Sequence, residues 1–364
     1  MSVKLLHSAD IHAGLRQYGI KQRELDFYDA ARELFRIAFD EKVQAIMLAG
    51  DIFDAIKPPG AAVKLMQYLV GQAKGRGIRV LGIDGNHDAC NGEWLDVCGI
   101  EDVTQTPAIL LDGAVEVAVA GIHYTRPSEF LKKLDALKDV RPRVLMIHQA
   151  VQELMGFGSE FSLMQLAGPM KAIGVQYCAM GDIHQANYAV MDGVEFRYPG
   201  STEVNDTSED GPRTCTILTV DSQEIKTHTR TLKTREFVVR RLETDQDVDD
   251  ILKQVQGPDK PFVLGWFSPE KRDISRRAEA VLASSGAMYR IMPFSGSQAS
   301  LDIAKKTFER KGATLKLLEA VTAFFEENGP EYQLVFQLLG NPEACKEICS
   351  QYLDGTGQQK PSNG

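Results

Sequence analysis

The chain has 364 residues, of which 43% are hydrophobic and 25% charged, a composition typical of globular proteins in water. No stretch approaches the roughly 18 uncharged apolar residues of a spanning helix, which excludes an integral membrane protein. Single hydrophobic cores rarely grow beyond about 250–300 residues, so we expect one large domain with one or two small ones. The formal net charge of −9 argues against a protein that holds a long stretch of nucleic acid by its own charge.

The N-terminus and the cysteines indicate the cellular compartment. Lys4 and His7 stand where a signal peptide would have its apolar stretch, so we expect a cytoplasmic protein. The six cysteines form no CxxC pair. We therefore expect reduced thiols rather than a disulfide or zinc framework.

The first two hundred residues alternate short apolar runs with longer amphipathic ones, a pattern that predicts a βαβ arrangement. Helices are predicted at residues 24–39 and 60–74. Strands are predicted at residues 3–8, 43–49, 78–83, 115–122, 143–147 and 176–180. Polar motifs fall just after most of these strands, which places candidate functional residues in the loops.

Closely spaced strands beyond residue 195 predict antiparallel pairing that completes a β-sandwich or sheet. These strands are predicted at residues 195–198, 214–220, 224–232 and 237–242. Two helices and two strands follow, at residues 245–256, 261–267, 273–284 and 288–292. We expect the segment 240–296 to form a small α/β capping domain.

The last part of the chain, 297–364, is predicted to be helical with a disordered tail. Leu315, Leu318, Val321 and Phe325 have helical spacing. Two interpretations stay open: these helices pack on their own domain, or they form a hairpin that binds a partner. The predicted domains are therefore 1–239, 240–296 and 297–364.

Five short polar motifs carry the candidate chemistry. They are Asp10-Ile-His12, Gly50-Asp51-Ile-Phe-Asp54, Gly85-Asn86-His87-Asp88, Met146-Ile-His148-Gln149 and Gly181-Asp182-Ile-His184. Loops at the carboxyl ends of strands in an open α/β sheet meet in one crevice, so these motifs can share a site. Each motif alone is ordinary turn and capping chemistry. Their order together favours a cluster of oxygen and imidazole ligands.

Such a cluster suits hydrolysis of a phosphodiester by two metal ions about 3.5–4 Å apart, which create a hydroxide and neutralise charge on the reacting oxygens. Two ions at this distance need one bridging carboxylate. Asp51 is the best candidate, because it follows a buried apolar strand and the flexible Gly50. Carboxylate, imidazole and carboxamide ligands together favour Mn²⁺ or Fe²⁺ over a soft-ligand zinc site.

The set of motifs resembles that of the calcineurin-like metallophosphoesterases, whose pattern is DxH, GDxxD, GNH(D/E), a lone His and GHxH. Within them, His7-Ser-Ala-Asp-Ile-His12 and Tyr198-Pro-Gly-Ser201 are similar to the SbcD-type DNA nuclease subunits. The resemblance covers about residues 1–205. It implies an α/β fold in which a metallophosphoesterase-type β-sandwich is flanked by helices, with 1–239 as the nuclease domain.

The resemblance also implies the roles of individual side chains. One divalent ion, most simply Mn²⁺, is implied for Asp10, His12, Asp51 and His184. A second is implied for Asp51, Asn86, His148 and Asp182. Two catalytic residues are implied: Asp51 as the bridge, and His87 as the group that protonates the leaving oxygen or stabilises the phosphate.

The partners implied by the resemblance are DNA, a second copy of the chain, and a coiled-coil ATPase of the SbcC type that binds the C-terminal helices. Such a complex would cut DNA as an exonuclease and endonuclease during the processing of double-strand breaks or ends.

One position departs from the family pattern. Asp182 stands where the family has the first histidine of GHxH. Aspartate remains a competent ligand for Mn²⁺, but its negative charge should weaken the Lewis acidity of the ion and change the metal preference.

Other polar residues have plainer interpretations. His148 ends an apolar strand and is either a metal ligand or a core histidine, and its place between two motifs favours the ligand. We interpret His123 as structural or substrate-proximal, His228 as a surface residue, and His7 as a packing residue or one that orients a ligand.

Three other functions are compatible with the same fold. A protein phosphatase is disfavoured, because those enzymes carry arginine after GDxxD whereas Ala55 follows Asp54 here. A nucleotide or small-molecule phosphodiesterase has the same ligands and stays open. A scaffold without activity is disfavoured, because all but one of the metal positions keep the family residue.

Overall fold

The computed structural model describes residues 1–155, 161–206, 209, 211–256 and 260–293. The predicted helices within 297–364 lie outside these residues. Met1–Trp266 and Asp273–Met292 form one compact unit, and Phe267–Arg272, with a short 3-10 turn, belongs to a second. Among the described helices, none is long and apolar enough to cross a membrane.

The strands and helices alternate over most of the chain. The strands are β1 (Val3–Ser8), β2 (Ala45–Ala49), β3 (Arg79–Ile83), β4 (Glu101–Asp102), β5 (Ala108–Asp112), β6 (Val115–Ile122), β7 (Val144–His148), β8 (Tyr177–Gly181), β9 (Asn187–Met191), β10 (Val194–Tyr198), β11 (Thr214–Val220), β12 (Ile225–Thr231), β13 (Phe237–Leu242), β14 (Phe262–Phe267) and β15 (Met288–Pro293). The helices are α1 (Lys21–Glu41), α2 (Gly60–Lys74), α3 (Glu93–Cys98), α4 (Pro127–Asp135), α5 (Gln152–Met155), α6 (Leu163–Ala172), α7 (Asp245–Gln254) and α8 (Arg272–Ser285).

Two six-stranded sheets form the body of the molecule. The strand order is β12-β11-β1-β2-β3-β4 in the first sheet and β5-β6-β7-β8-β10-β9 in the second. In the first, β1, β2 and β3 run parallel. In the second, β6, β7 and β8 run parallel. The parallel strands send the loops that follow them to one edge of each sheet.

The two sheets pack face to face, which confirms the predicted sandwich flanked by helices. Side chains alternate along each strand, so Leu5 packs between the sheets while Leu6 packs against the helices. The outer face of the first sheet is covered by α1, α2 and α3, and that of the second by α4 and α6. Because both faces are buried, the strands appear in the sequence as nearly continuous apolar runs.

A third sheet, of order β13-β14-β15, begins at Phe237 and overlaps the segment 240–296 that was predicted as a capping domain. The fully buried Arg23 of α1 contacts this sheet: its guanidinium carbon lies 5.3 Å from the ring centre of Phe237 and 5.4 Å from that of Phe262. Arg23 also pairs with Asp26 at 2.8 Å and with Glu203 at 3.3 Å, so its buried charge is compensated. The predicted domain boundary at residue 240 stays a prediction.

Most of the predicted elements coincide with observed ones. The bounds of β1, α2, β6, β11 and β13 are those expected from the sequence. Several elements were missed, among them β9, which pairs with β10 through an Asp192-Gly193 turn. Both turn residues have positive φ, at 54° and 85°, as a two-residue hairpin requires. An Asp-Gly pair between apolar runs was therefore a usable signal for this hairpin.

Candidate metal centre

The loops after five parallel strands meet at one edge of the sandwich. Three of these strands, β1, β2 and β3, belong to the first sheet, and β7 and β8 belong to the second. The structure brings together there all seven side chains that the sequence predicted as metal ligands: Asp10, His12, Asp51, Asn86, His148, Asp182 and His184. The parallel sheets thus join residues that are 174 positions apart in the chain, from Asp10 to His184.

Asp10, His12 and His184 form one group of potential ligands, whose ligand atoms all lie within 4.8 Å of one another. The Nε2 atoms of His12 and His184 face each other at 3.2 Å. In this arrangement one ring can donate to the other, or both Nε2 lone pairs can coordinate the same cation in place of that proton. This group therefore fits a divalent ion.

A second group surrounds the ring of His148, which is fully buried. Its Nε2 lies 3.0 Å from Asn86 Oδ1 and 3.8 Å from Asp182 Oδ1. The carboxylate of Asp182 is 24% exposed, close to the 27% of His184 in the first group. An amide oxygen, a carboxylate and an imidazole form a ligand set for a hard or borderline divalent ion.

Asp51 lies between the two groups. Its Oδ2 is 3.7 Å from His12 Nε2 and 3.5 Å from His148 Nε2, and the side chain is 2% exposed. A carboxylate in this position can serve ligands on both sides, as a bridge between two ions must.

Backbone strain is concentrated at the predicted ligands. Four of them adopt the left-handed region, with φ of 53° at Asp10, 47° at His12, 48° at Asp51 and 97° at Asp182. Residues with a Cβ rarely adopt this region, at a cost of roughly 1–3 kcal/mol each, and such outliers cluster at functional sites. The loops therefore hold these side chains at the expense of folding stability.

Two glycines of the motifs are required by close packing. A Cβ on Gly50 would lie 2.2 Å from His148 Nδ1, and one on Gly85 would lie 2.0 Å from Asp51 Oδ1. Any larger residue at either position would displace a predicted ligand.

Hydrogen bonds set the orientation of the ligand rings. His148 Nδ1 donates to the carbonyl of Ala49 at 2.8 Å, and His184 Nδ1 donates to Glu209 Oε1 at 2.7 Å. Each bond leaves Nε2 as the nitrogen that faces the centre. Asp51 is fixed in turn, because its Oδ1 accepts from the backbone N–H of His87 at 2.9 Å.

Asp88 connects two of the loops. Its carboxylate accepts from the backbone N–H groups of Ile52 at 2.8 Å, Phe53 at 3.0 Å and Gly85 at 2.8 Å. Burial and the negative charge of Asp51 raise the pKa of Asp88 to about 6. Asp88 thus holds the two loops in place without being a ligand.

The electrostatics of the centre favour a positive charge. Burial alone would lower the pKa of His148, but the neighbouring Asp51, Asp10 and Asp182 raise it to about 10. Burial raises the pKa of Asp10 and of Asp182, because ionised carboxylates lose hydration there. A bound cation would supply the compensation that these buried acids lack.

His87, predicted as a catalytic group, lies at the rim, with 45% of its side chain exposed. Its Nδ1 donates to the backbone carbonyl of Asp54 at 3.1 Å, and its ring centre is 4.9 Å from that of His12. The side chain of Asp54 lies between the two histidines, 3.4 Å from His12 Nδ1. Accordingly, His87 adjoins the ligands and stays accessible to a substrate.

The other histidines lie away from the predicted ligands. His7 is buried between the sheets, where its Nδ1 is 2.8 Å from the hydroxyl of Tyr177. His123 Nδ1 accepts from the backbone N–H of Asp84 at 2.8 Å, beside the loop that carries His87. His228 is half exposed on β12.

Sequence reasoning missed Glu209. This carboxylate contacts His184 but belongs to a turn-rich segment without a recognisable motif. Only the folded structure shows the contact.

A model of the calcineurin-like phosphoesterase family matches residues 3–186, about half of the chain and all seven predicted ligands. The chain belongs to this family.

Among curated proteins, the chain is similar to several named DNA double-strand break repair protein Mre11. That of Methanosarcina acetivorans is 29% identical over 271 residues, covering 71% of this chain and 42% of the relative. That of Methanosarcina mazei is 28% identical, covering 80% and 47%. That of Saccharolobus solfataricus is 25% identical, covering 96% and 98%. The chain thus spans less than half of the two Methanosarcina proteins and nearly all of the third.

Proposed function

We propose that the chain is a dinuclear-metal phosphodiesterase that cuts DNA, and that it is the nuclease subunit of an SbcC–SbcD-type complex in the processing of double-strand breaks or ends. The observation that carries this proposal is the position of Asp51 Oδ2, 3.7 Å from His12 Nε2 and 3.5 Å from His148 Nε2. One carboxylate shared by two ligand groups is what a two-ion phosphodiesterase needs.

The ligands divide into two sets around Asp51. Asp10, His12 and His184 would hold one ion, and Asn86, His148 and Asp182 the other. Once bound, two such ions supply a hydroxide nucleophile at neutral pH and neutralise charge on the phosphate.

His87 completes the reaction from the rim. Its Nδ1 is engaged by the carbonyl of Asp54, which leaves Nε2 to carry a proton. A protonated Nε2 can donate to the oxygen that leaves the phosphorus, a step that general acids accelerate by about 10²–10⁴-fold.

Mn²⁺ is the ion that the ligands fit best. Asp182 gives the second set an anionic oxygen where a histidine would give a neutral nitrogen, and hard ions such as Mn²⁺ prefer oxygen. The same substitution is expected to make the second ion a weaker Lewis acid.

DNA as substrate is supported by the names of the relatives, which are DNA double-strand break repair proteins. The net charge of −9 suits a catalytic subunit that receives DNA from a partner. We propose a homodimer, with an SbcC-type ATPase bound to the segment 297–364 and the segment 240–296 acting as a cap. The cytoplasmic location expected from the sequence stays a prediction.

The test is hydrolysis of linear double-stranded DNA and of bis(p-nitrophenyl) phosphate by the purified chain in Mn²⁺, Mg²⁺ or chelator, with His87→Ala as the control variant. DNA cutting that requires Mn²⁺ and disappears in the variant would support the proposal. Hydrolysis of the small diester with DNA left intact, even when an ATPase partner is added, would indicate a nucleotide or small-molecule phosphodiesterase instead.

A further inference from the structure

Glu209 is a buried carboxylate beside the predicted metal centre, with 6% of its side chain exposed. Its Oε1 accepts from His184 Nδ1 at 2.7 Å. Its Oε2 accepts from Arg213 Nη1 at 2.8 Å, Ser201 Oγ at 3.2 Å and the backbone N–H of Asn205 at 3.1 Å. Both oxygens are therefore committed, and the carboxylate has one defined orientation.

We propose that Glu209 is a positioning residue that fixes the ring of His184 as a metal ligand and strengthens its bond to the ion. This inference rests on the proposed function. Glu209 acts through His184 and does not itself reach the reacting phosphate.

The geometry gives the physical reason. A carboxylate that accepts from Nδ1 holds the ring in the tautomer whose lone pair is on Nε2, and it increases the basicity of that nitrogen. In this chain, Nε2 of His184 then faces His12 Nε2 at 3.2 Å and lies within the group that includes Asp10. The orientation imposed by Glu209 is the one that the first ligand set needs.

The second ligand set has a different support. His148 Nδ1 donates to the neutral carbonyl of Ala49, not to a carboxylate. Removing the charge of Glu209 should therefore weaken the binding of one ion and leave the binding of the other unchanged. A purely structural role would not discriminate between the two ions.

Arg213 makes Glu209 rigid. The guanidinium is 3% exposed, and it donates to Glu209 Oε2 and to the backbone carbonyl of His184 at 3.3 Å. Removing one partner of such a buried ion pair destabilises the fold, because it leaves the other charge uncompensated. A test must therefore separate lost folding from lost metal affinity.

The experiment compares Mn²⁺ binding to the full chain, Glu209→Gln and Glu195→Gln, by calorimetry and by electron paramagnetic resonance of the free and bound ion. The Glu209→Gln change keeps the side-chain volume and removes the charge. Glu195 is the matched control, because it also pairs with an arginine, Arg197, at 2.6 Å, but on β10 and away from the predicted ligands. Urea unfolding in chelator reports on folding separately.

We expect the wild type to bind two ions, and Glu209→Gln to bind one of them about 10–100-fold more weakly. The other ion and both ions of Glu195→Gln should keep the wild-type affinity. A folded Glu209→Gln variant with unchanged affinity for both ions would overturn the inference while leaving the proposed function intact.

A second variant decides the case in which Glu209→Gln does not fold. Glu209→Asp keeps a carboxylate for Arg213 but withdraws it from His184 by one methylene. Glu209→Asp should weaken the binding of the same single ion. An equal loss of affinity for both ions, or no loss for either, would overturn the inference. A wild type that binds no Mn²⁺ would overturn the proposed function as well.

Discussion

Two fully buried histidines, His7 and His148, show how differently the interior of the sandwich and the metal centre treat the same side chain. Both lie between the two sheets. The pKa of His7 falls to about 3, because burial and the nearby Arg197 disfavour its charged form. The pKa of His148 rises to about 10, because Asp51 and two further carboxylates outweigh the effect of burial.

Because both rings are fully buried, the carboxylates and not the depth of burial give the centre its preference for positive charge. In the interior, the protein holds a neutral ring beside Tyr177. At the strand ends, it gathers acids around a ring and accepts strained backbone to hold them. The latter arrangement suits a bound cation, as expected of a binding site.

Replacing Asp51 should have the largest effect, because this carboxylate contacts both ligand sets. Asp51→Asn is expected to weaken Mn²⁺ binding by more than roughly 100-fold. Losses up to that size are typical when a side chain that only orients a ligand is removed. Phosphodiesterase activity should fall below detection. Calorimetry and the hydrolysis assay measure this, with Asp29→Asn, exposed on α1, as the control. Retention of two tightly bound ions would refute the role of Asp51.

His87 lies outside the buried set, so its loss should separate chemistry from binding. His87→Ala is expected to lower kcat by about 10²–10⁴-fold, the range for a general acid, and to leave Mn²⁺ affinity unchanged. Steady-state kinetics and a metal titration on the same samples provide the readout. A drop in metal affinity would assign His87 to the ligands instead.

The raised pKa of His148 predicts that metal binding releases a proton. Below pH 10 the free ring is protonated, and an ion must displace that proton from Nε2. Mn²⁺ affinity should therefore increase by about tenfold for each pH unit between pH 6.5 and 8.5. Calorimetry in buffers of different ionisation enthalpy counts the protons, and an affinity independent of pH would contradict the assignment.

The lowered pKa of His7 predicts that the fold loses stability as the pH falls. The fold excludes the charged ring, so His7 contributes stability above its ordinary pKa of 6.5, and this is lost as the pH falls toward 3. Urea unfolding should show that wild type loses up to about 1.4 kcal/mol more than His7→Gln between pH 5.5 and 4.5. Parallel pH profiles for the two proteins would show that the ring is not held neutral.

Much of the fold and of the candidate metal centre could be predicted from the sequence. The strands buried on both faces form apolar runs, and the motifs directly follow them, so the sheets could be predicted and the seven candidate ligands could be expected to lie together. The resemblance to a known family supplied the pairing of ligands with ions. The capping domain and the helices at 297–364 are predictions that still require their own test.

The missed features depend on contacts far apart in the chain or on short elements. Glu209 contacts His184, 25 residues earlier, from a turn, and no local pattern reveals that contact. Helix α3 has six residues, too few for a helical period to be visible. Strand β5 has buried Leu110 between exposed Ile109 and Leu111, so an apolar run hides its alternation.

In the proposed arrangement, Asp51 joins two ligand sets in one dinuclear centre. The most direct measurement is a Mn²⁺ titration of the wild-type chain followed by electron paramagnetic resonance. Two ions per chain, with the spectrum of a magnetically coupled pair, are the predicted result. A single ion, or two ions without coupling, would contradict the bridging role of Asp51.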